Sequence, residues 1–173
     1  DISQKGIYNL QLAAPYEEGT DLISFGVRKD WPELASIIDK ALAAIPEAKK
    51  VELINKWMPP LDSQTPGARP TEITLTEEEQ AWLAEEHSVL VRAANFPPYT
   101  IIQKNGPPEG ISIEYLKKVS QQTGIQFDYE VTDQPFAEFL ENMKQGQGPD
   151  LTMTIVRSPE REAYLEFSNG YLE

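Results

Sequence analysis

The chain has 173 residues, no cysteine and a net charge of −13, with 40% hydrophobic and 25% charged residues. That composition is globular, and the length holds one ordinary domain or one domain with part of another. The acidic balance excludes a nucleic-acid partner because no basic footprint for phosphate occurs anywhere, and the missing cysteines exclude disulfides, thiolate metal sites and cysteine nucleophiles.

No apolar run approaches the roughly 20 residues that a membrane span needs. No signal peptide is visible, and the chain reads as a piece of something longer. Tyr8 to Ala14 is one short apolar segment compatible with a strand, followed by a Pro-Tyr-Glu-Glu-Gly turn. Leu22 to Val27 is the next β-compatible run. Asp30 and Glu33 then have the spacing of a capping box, with Pro32 in the first turn, where its missing donor costs little. Leu34, Ile37, Ile38, Ala41, Leu42 and Ile45 form one helical stripe. Beyond Pro46 a second amphipathic piece carries Val51, Ile54, Trp57 and Met58 until Pro59-Pro60 stops it.

Leu61 to Thr71 has the composition of a linker. Thr76 and Glu79 form a second capping box, opening a short acidic helix over Glu77 to Glu86 whose Trp82 and Leu83 dock it on the next domain. His87, the single histidine, reads as a solvated helix-terminating residue, since no second histidine exists to build a site.

Val89 to Tyr171 organises the rest. Val89 to Ala94 is a strand that must leave the sheet at Pro97-Pro98. Asn105-Gly106 marks a turn, and a helix from about Ser112 to Gln122 ends at Gly124. Phe127, Tyr129 and Val131 alternate as a strand. Phe136, Phe139, Leu140 and Met143 make a second helical stripe, ended by Gly146 and Gly148, and Leu151 to Ile155 is the third strand. Asp150, beside Pro149, positions the start of that strand. This alternation predicts an α/β layer with a largely parallel sheet. Ligands gather where loops leave the carboxyl ends of such strands, because N–H groups and helix N-termini point there unpaired. Asn95 to Tyr99, Phe136 and Thr154 to Arg161 occupy those ends, which suggests a cleft for a small polar molecule. No nucleophile–base pair is evident, so the reading is of a binding module and not an enzyme, with no cofactor and no metal.

The order of motifs resembles the first lobe of type 3 bacterial extracellular solute-binding proteins. It runs FPPY, GISIEYL, Thr123-Gly124, Asp150-Leu151-Thr152, Ser158-Pro159-Glu160-Arg161 and finally Phe167-Ser168 with Tyr171. These are the Venus-flytrap modules of amino acid uptake systems and of membrane sensor kinases that carry two such modules in tandem. LTEEEQAWL resembles the spacer between modules, and ISFGVRKDWPELASIIDKALAAIP with LINKW resembles a module's closing segment. The resemblance implies a periplasmic-binding-protein-like lobe of type II. Residues 1–60 would be the end of one module, 61–76 a linker and 77–173 the first lobe of the next, with the closing segment docking back as a circularly permuted single lobe.

It also implies ligand contacts from Phe96, Tyr99, Phe136, Thr152, Thr154 and Arg161, the arginine clamping a carboxylate. The ligand would be a carboxylate-bearing, amino-acid-like solute and the location periplasmic. Membrane attachment would come only through flanking segments, and the parent receptor could act as a dimer. An uptake-system binding protein and a non-catalytic domain of a cell-wall enzyme are the alternatives. Two departures stand out. Ala93 occupies the position where many amino-acid binders hold an acid for the ligand's amine, and the segment from Asp150 to Arg161 is one residue shorter than in transport proteins. Read by periodicity alone, Phe136 is equally a core ring, and Arg161 reads more readily as a surface partner of Glu160 or Glu162 than as a ligand contact.

Overall fold

The computed structural model describes residues 22–58 and 73–172. The strand expected at Tyr8 to Ala14 and the linker at Leu61 to Thr71 lie outside them. Among the described residues no helix is long and apolar enough to cross a membrane.

The elements run β1 (Ile23–Arg28), α1 (Pro32–Ala44), α2 (Glu47–Trp57), α3 (Glu77–Ala84), β2 (Ser88–Ala93), α4 (Ile111–Thr123), β3 (Gln126–Val131), α5 (Phe136–Lys144), β4 (Leu151–Val156), α6 (Pro159–Glu162) and β5 (Leu165–Phe167). The sheet order is β3-β2-β4-β1-β5. β2 pairs in parallel with β3 and β4, while β1 pairs antiparallel with β4 on one side and β5 on the other. Four of the five strands therefore run the same way, and only β1 runs against them. This is a mixed α/β sheet flanked by helices, the architecture of a periplasmic-binding-protein-like lobe, and its N-terminal strand is seated next to its C-terminal one.

The helical stripe of α1 explains why that strand is held. Leu34, Ile37, Ile38 and Ala41 are fully buried, with Leu42 and Ile45 nearly so, in one core with Ile111, Ile113, Leu116 and Val119 of α4 and the inward face of β2. Each such side chain contributes about 1.5–3 kcal/mol on burial, so the docking of α1 outweighs any single polar contact around it. A smaller core on the other face of the sheet joins Phe139 and Met143 of α5 to Ile155, Leu165 and Phe167.

In α2 the buried residue is Leu53, while Val51, Ile54, Trp57 and Met58 are only partly covered. The expected stripe thus lies on the shoulder of the buried face, because α2 meets the body mainly along α4.

The two capping boxes fare differently. Thr76 Oγ1 accepts from the Glu79 N–H (3.2 Å) and Glu79 Oε2 accepts from the Thr76 N–H (2.7 Å), as the spacing predicts. The box expected at Asp30 does not form. The Arg28 guanidinium takes both Asp30 oxygens (2.6 and 2.8 Å), and α1 starts one residue later with Trp31 at the cap position and no side-chain cap. A charged fork two residues away outcompetes a single N–H for the carboxylate.

His87 also departs from expectation. It is half-buried, its ring lying 5.2 Å from Trp31 and 4.4 Å from Trp82, centroid to centroid. The aromatic pair formed by the α1 entrance and α3 closes over it, and of the two rings only Trp82 is near His87 in the chain.

Two polar ties fasten the N-terminal elements. Asp150, at the start of β4, accepts from the Leu90 N–H (2.9 Å) and from Arg28 Nη1 (2.9 Å), linking β1, β2 and β4 at one end of the sheet. Replacing Asp150 by Ala strands both donors and is expected to lower unfolding stability by about 2–3 kcal/mol, measured by urea titration.

Glu79, almost wholly buried, accepts from Lys40 Nζ (2.5 Å) and Ser36 Oγ (2.6 Å) of α1 as well as from its own cap. Burial works to raise its pKa, but the bonds from Lys40, Ser36 and the Thr76 N–H together hold it below the ordinary value of 4.5. The carboxylate thus adds stability that is complete above that value and fades as pH falls through the lower folded-state value. Thermal melts of wild type and Glu79→Gln should differ most at neutral pH and converge in acid.

Candidate functional site

β4 carries one residue more than the strand beside it. Ser24 and Gly26 of β1 stand opposite Ile155 and Thr152, so two steps of β1 face three of β4. The extra residue reverses the alternation and puts Thr152 and Ile155 on the same face, where both side chains close on Gly26. A Cβ there would lie 3.2 and 3.0 Å from them. Such bulges re-aim side chains and recur beside binding sites.

The bulge leaves the Met153 carbonyl without a ladder partner, and Tyr171 supplies one. Its hydroxyl donates to Met153 O at 2.7 Å, with Ser112 Oγ 2.8 Å from the same hydroxyl oxygen. The Tyr171 ring lies flat on Phe25, centroids 4.2 Å apart. Burial drives the Tyr171 phenol well above its ordinary pKa, so it stays a neutral donor.

Around this bulge, at the carboxyl ends of β2 and β4, is a cleft of about 340 Å³. Thr152, Met153 and Thr154 form one wall, Ala94, Asn95 and Phe96 after β2 another, and Phe136 at the start of α5 a third. Arg92 of β2 and the buried Thr100 complete the lining. The loop after β2 is folded tightly enough to present Phe96. Its N–H donates to Thr100 O (2.8 Å), and the peptide between Pro97 and Pro98 is cis. Gly110, with φ +128, brings the chain back so close that a Cβ would lie 2.3 Å from Tyr99 O. The first N–H groups of α4 are consumed here, Ile111 donating to Pro98 O and Ser112 to Tyr99 O at 3.1 Å each. The expectation of unpaired helix N–H groups facing the ligand does not hold for α4.

Four of the six candidate contacts therefore line one cavity: Phe96, Phe136, Thr152 and Thr154. Phe96 is 55% exposed, standing at the rim with no core to join. Phe136 does two things, lining the cleft and packing 5.9 Å from Phe139. Tyr99 and Arg161 lie outside the lining. The Tyr99 ring backs Phe96 at 5.3 Å. Arg161 reaches the border of the cleft, its guanidinium 6.0 Å from the Phe136 ring centroid, with Nη1 donating to Val156 O (2.7 Å). Its neighbouring acids are engaged elsewhere, Glu160 with Lys144 and Glu162 with Arg157. The strand-end residue facing the cleft is Ala94. Ala93 points into the core, so that position holds an alanine either way.

Arg92 is the lining residue that the motifs missed. Val89, Val91 and Ala93 are buried on one face of β2, which sends Arg92 to the other, towards α5. A cation on the inward alternation of a strand covered by a helix was the available signal. Its guanidinium carbon lies 5.4 Å from the Phe136 ring and 4.8 Å from that of Phe139, and Nη2 donates to Gln134 O (2.8 Å).

Residues 89–173 match the bacterial extracellular solute-binding proteins, family 3. Over that span, 85 of the 173 residues, the chain resembles a solute-binding domain of this family. Across 172 residues, 99% of its length, it is 28% identical to the virulence sensor protein BvgS of Bordetella pertussis and equally to that of Bordetella bronchiseptica. It is 24% identical over the same length to the sensor protein EvgS of Escherichia coli. The chain spans only 14% of the length of these relatives.

Within the span that matches this family, the motif ending in Phe167-Ser168 and Tyr171 has a structural use besides its value as a signature. Ser168 Oγ accepts from the Phe25 N–H (3.0 Å), and Tyr171 secures the bulge. Removing the Tyr171 hydroxyl with Phe leaves the Met153 carbonyl unpaired. The expected loss is about 1–2 kcal/mol of stability in denaturant melts, together with shifted amide resonances at Thr152 to Thr154.

Proposed function

We propose that residues 77–173 form one ligand-contacting lobe of an extracytoplasmic, periplasmic sensing module in a membrane-spanning signalling receptor. The solute is small, either amino-acid-like or another carboxylate-bearing molecule. Residues 1–60 are read as the closing segment of a preceding module, with 61–76 as the linker. In the structure that closing segment supplies β1, α1 and α2 to the same sheet and core.

The observation that carries the reading is the convergence of Phe96, Phe136, Thr152 and Thr154 from three separate chain segments on one cleft, within the span that matches the solute-binding family. Similarity to two sensor proteins over nearly the whole chain favours signalling over uptake. The aromatic rings offer apolar flanks and the threonines hydroxyls. Arg161 stands at the border as a planar donor whose fork matches a carboxylate. Signalling then requires the solute to bind the closed arrangement of the module more tightly than the open one.

The test is made in the parent receptor with Phe96→Ala and Arg161→Glu. Each is expected to weaken solute-driven output by about tenfold or more, while the 173-residue chain carrying the same change keeps its circular dichroism spectrum. Undiminished output in both variants would leave the cleft without a role and make the domain a spacer.

A further inference from the structure

The cleft contains a cation with no counterion. Among the described residues Arg92 forms no ion pair, although Glu130 stands directly opposite in the register of β3 and Thr152 opposite in that of β4. Its Nε is buried and has no hydrogen-bond partner, and the bond to Gln134 O is the single one its guanidinium makes among those residues. The Phe136 and Phe139 rings, 5.4 and 4.8 Å from its central carbon, cover the guanidinium and hold it in place. Burial lowers its pKa from the ordinary value, the mark of a charge deprived of water without compensation.

An arginine carries five N–H donors in a fixed fork. Leaving a charged donor buried and unpaired costs more than leaving a neutral one, so a site of this kind gains when an anion arrives. Other polar groups of the cleft fit the same guest. Asn95 Oδ1 is occupied by the Ile102 N–H (3.1 Å), which leaves its amide N–H₂ as a donor. No carboxylate lines the cavity among the described residues, so this wall offers an ammonium group no charged partner and an oxyanion a guanidinium.

We infer that Arg92 is the residue of this lobe that takes the ligand's negative charge, and that the cleft admits a compact carboxylate whose anionic end points to the sheet and carries no adjacent ammonium. The inference rests on the solute-binding reading above and deepens it. Arg161, tied to Val156 O at the border, is assigned to closure around the solute, while Arg92 sets which solute enters.

The experiment is a nuclear magnetic resonance titration of the ¹⁵N-labelled 173-residue chain, following the Arg92 side-chain Nε–H and the backbone amides of Asn95 and Thr154. The probes are acetate, its uncharged isostere acetamide, and glycine, the same carboxylate with an adjacent ammonium. Acetate is expected to shift these signals saturably, with weak affinity of roughly millimolar order because one lobe supplies only part of the contacts. Acetamide and glycine should bind about tenfold more weakly or not at all. Arg92→Gln, with sheet amides elsewhere unchanged, should abolish the acetate response, and Arg157→Gln, away from the cleft and paired with Glu162, should leave it within about twofold.

Acetate binding that survives Arg92→Gln but is lost in Arg161→Gln overturns this inference and leaves the solute-binding reading standing. Glycine binding as tightly as acetate overturns the ligand class. If none of the three probes shifts any cleft signal, both the inference and the reading it rests on fall. Should Arg92→Gln disturb the sheet, Arg92→Lys serves instead. It keeps the charge but not the fork, and acetate binding unchanged in it counts against the proposal.

Discussion

The pairing of β1 between β4 and β5 is the constraint on which the rest of this structure depends. β1 is the only strand running against the others, and through it β5 and the segment ending at Tyr171 are joined to the parallel part of the sheet. Its amide at Phe25 reaches Ser168, and Phe25 itself is the floor on which Tyr171 stacks. The mismatch of one residue between β1 and β4 makes the bulge that turns Thr152 to Thr154 towards the cleft. Without β1 there is no second strand to be out of step with, and nothing to press Tyr171 against the Met153 carbonyl.

The strand stays in place because α1 comes directly after it. A helix with a continuous apolar stripe brings far more buried area than the ion pairs at its ends, and polar ties such as Glu79 with Lys40 fix orientation more than they supply adhesion. The acidic character of the chain is consistent with this division of labour. Most carboxylates sit on the surface, and the few that are buried, Asp150 and Glu79, each have several donors. The cleft reverses the pattern, with a lining cation that has no acidic partner among the described residues. Arg28 and Arg157 hold carboxylates, whereas Arg92 and Arg161 hold only backbone carbonyls, and of these two Arg92 lines the cleft.

Much of the fold was legible in the sequence wherever a signal is local. The stripes of α1 and α5, the Thr76 and Glu79 capping box, the left-handed Gly124 ending α4 and the turn near Asn105 are all consequences of residues within a few positions of one another. The misreadings turn on which competing partner the fold presents, near or far in the chain. Asp30 was lost to Arg28 because β1 extends the arginine across the turn. His87 was enclosed by Trp31 and Trp82, which lie 56 and 5 residues before it in the chain. At the site, motif spacing found the two phenylalanines and two threonines that line the cleft. It could not separate them from Tyr99, whose ring supports Phe96 from behind.

What the sequence determined by itself was the elements from β1 to β4 and the class of sheet they make, together with a rim on which a ligand would be received, because periodicity and turn chemistry act over short separations. What only the tertiary structure decided was the bulge in β4, the use of Tyr171 to hold it and the isolation of Arg92 behind two rings. Each of these depends on the register between strands distant in the chain and on which charges end up without a partner. Neither quantity is a property of any one segment, so neither is written in a local pattern of residues.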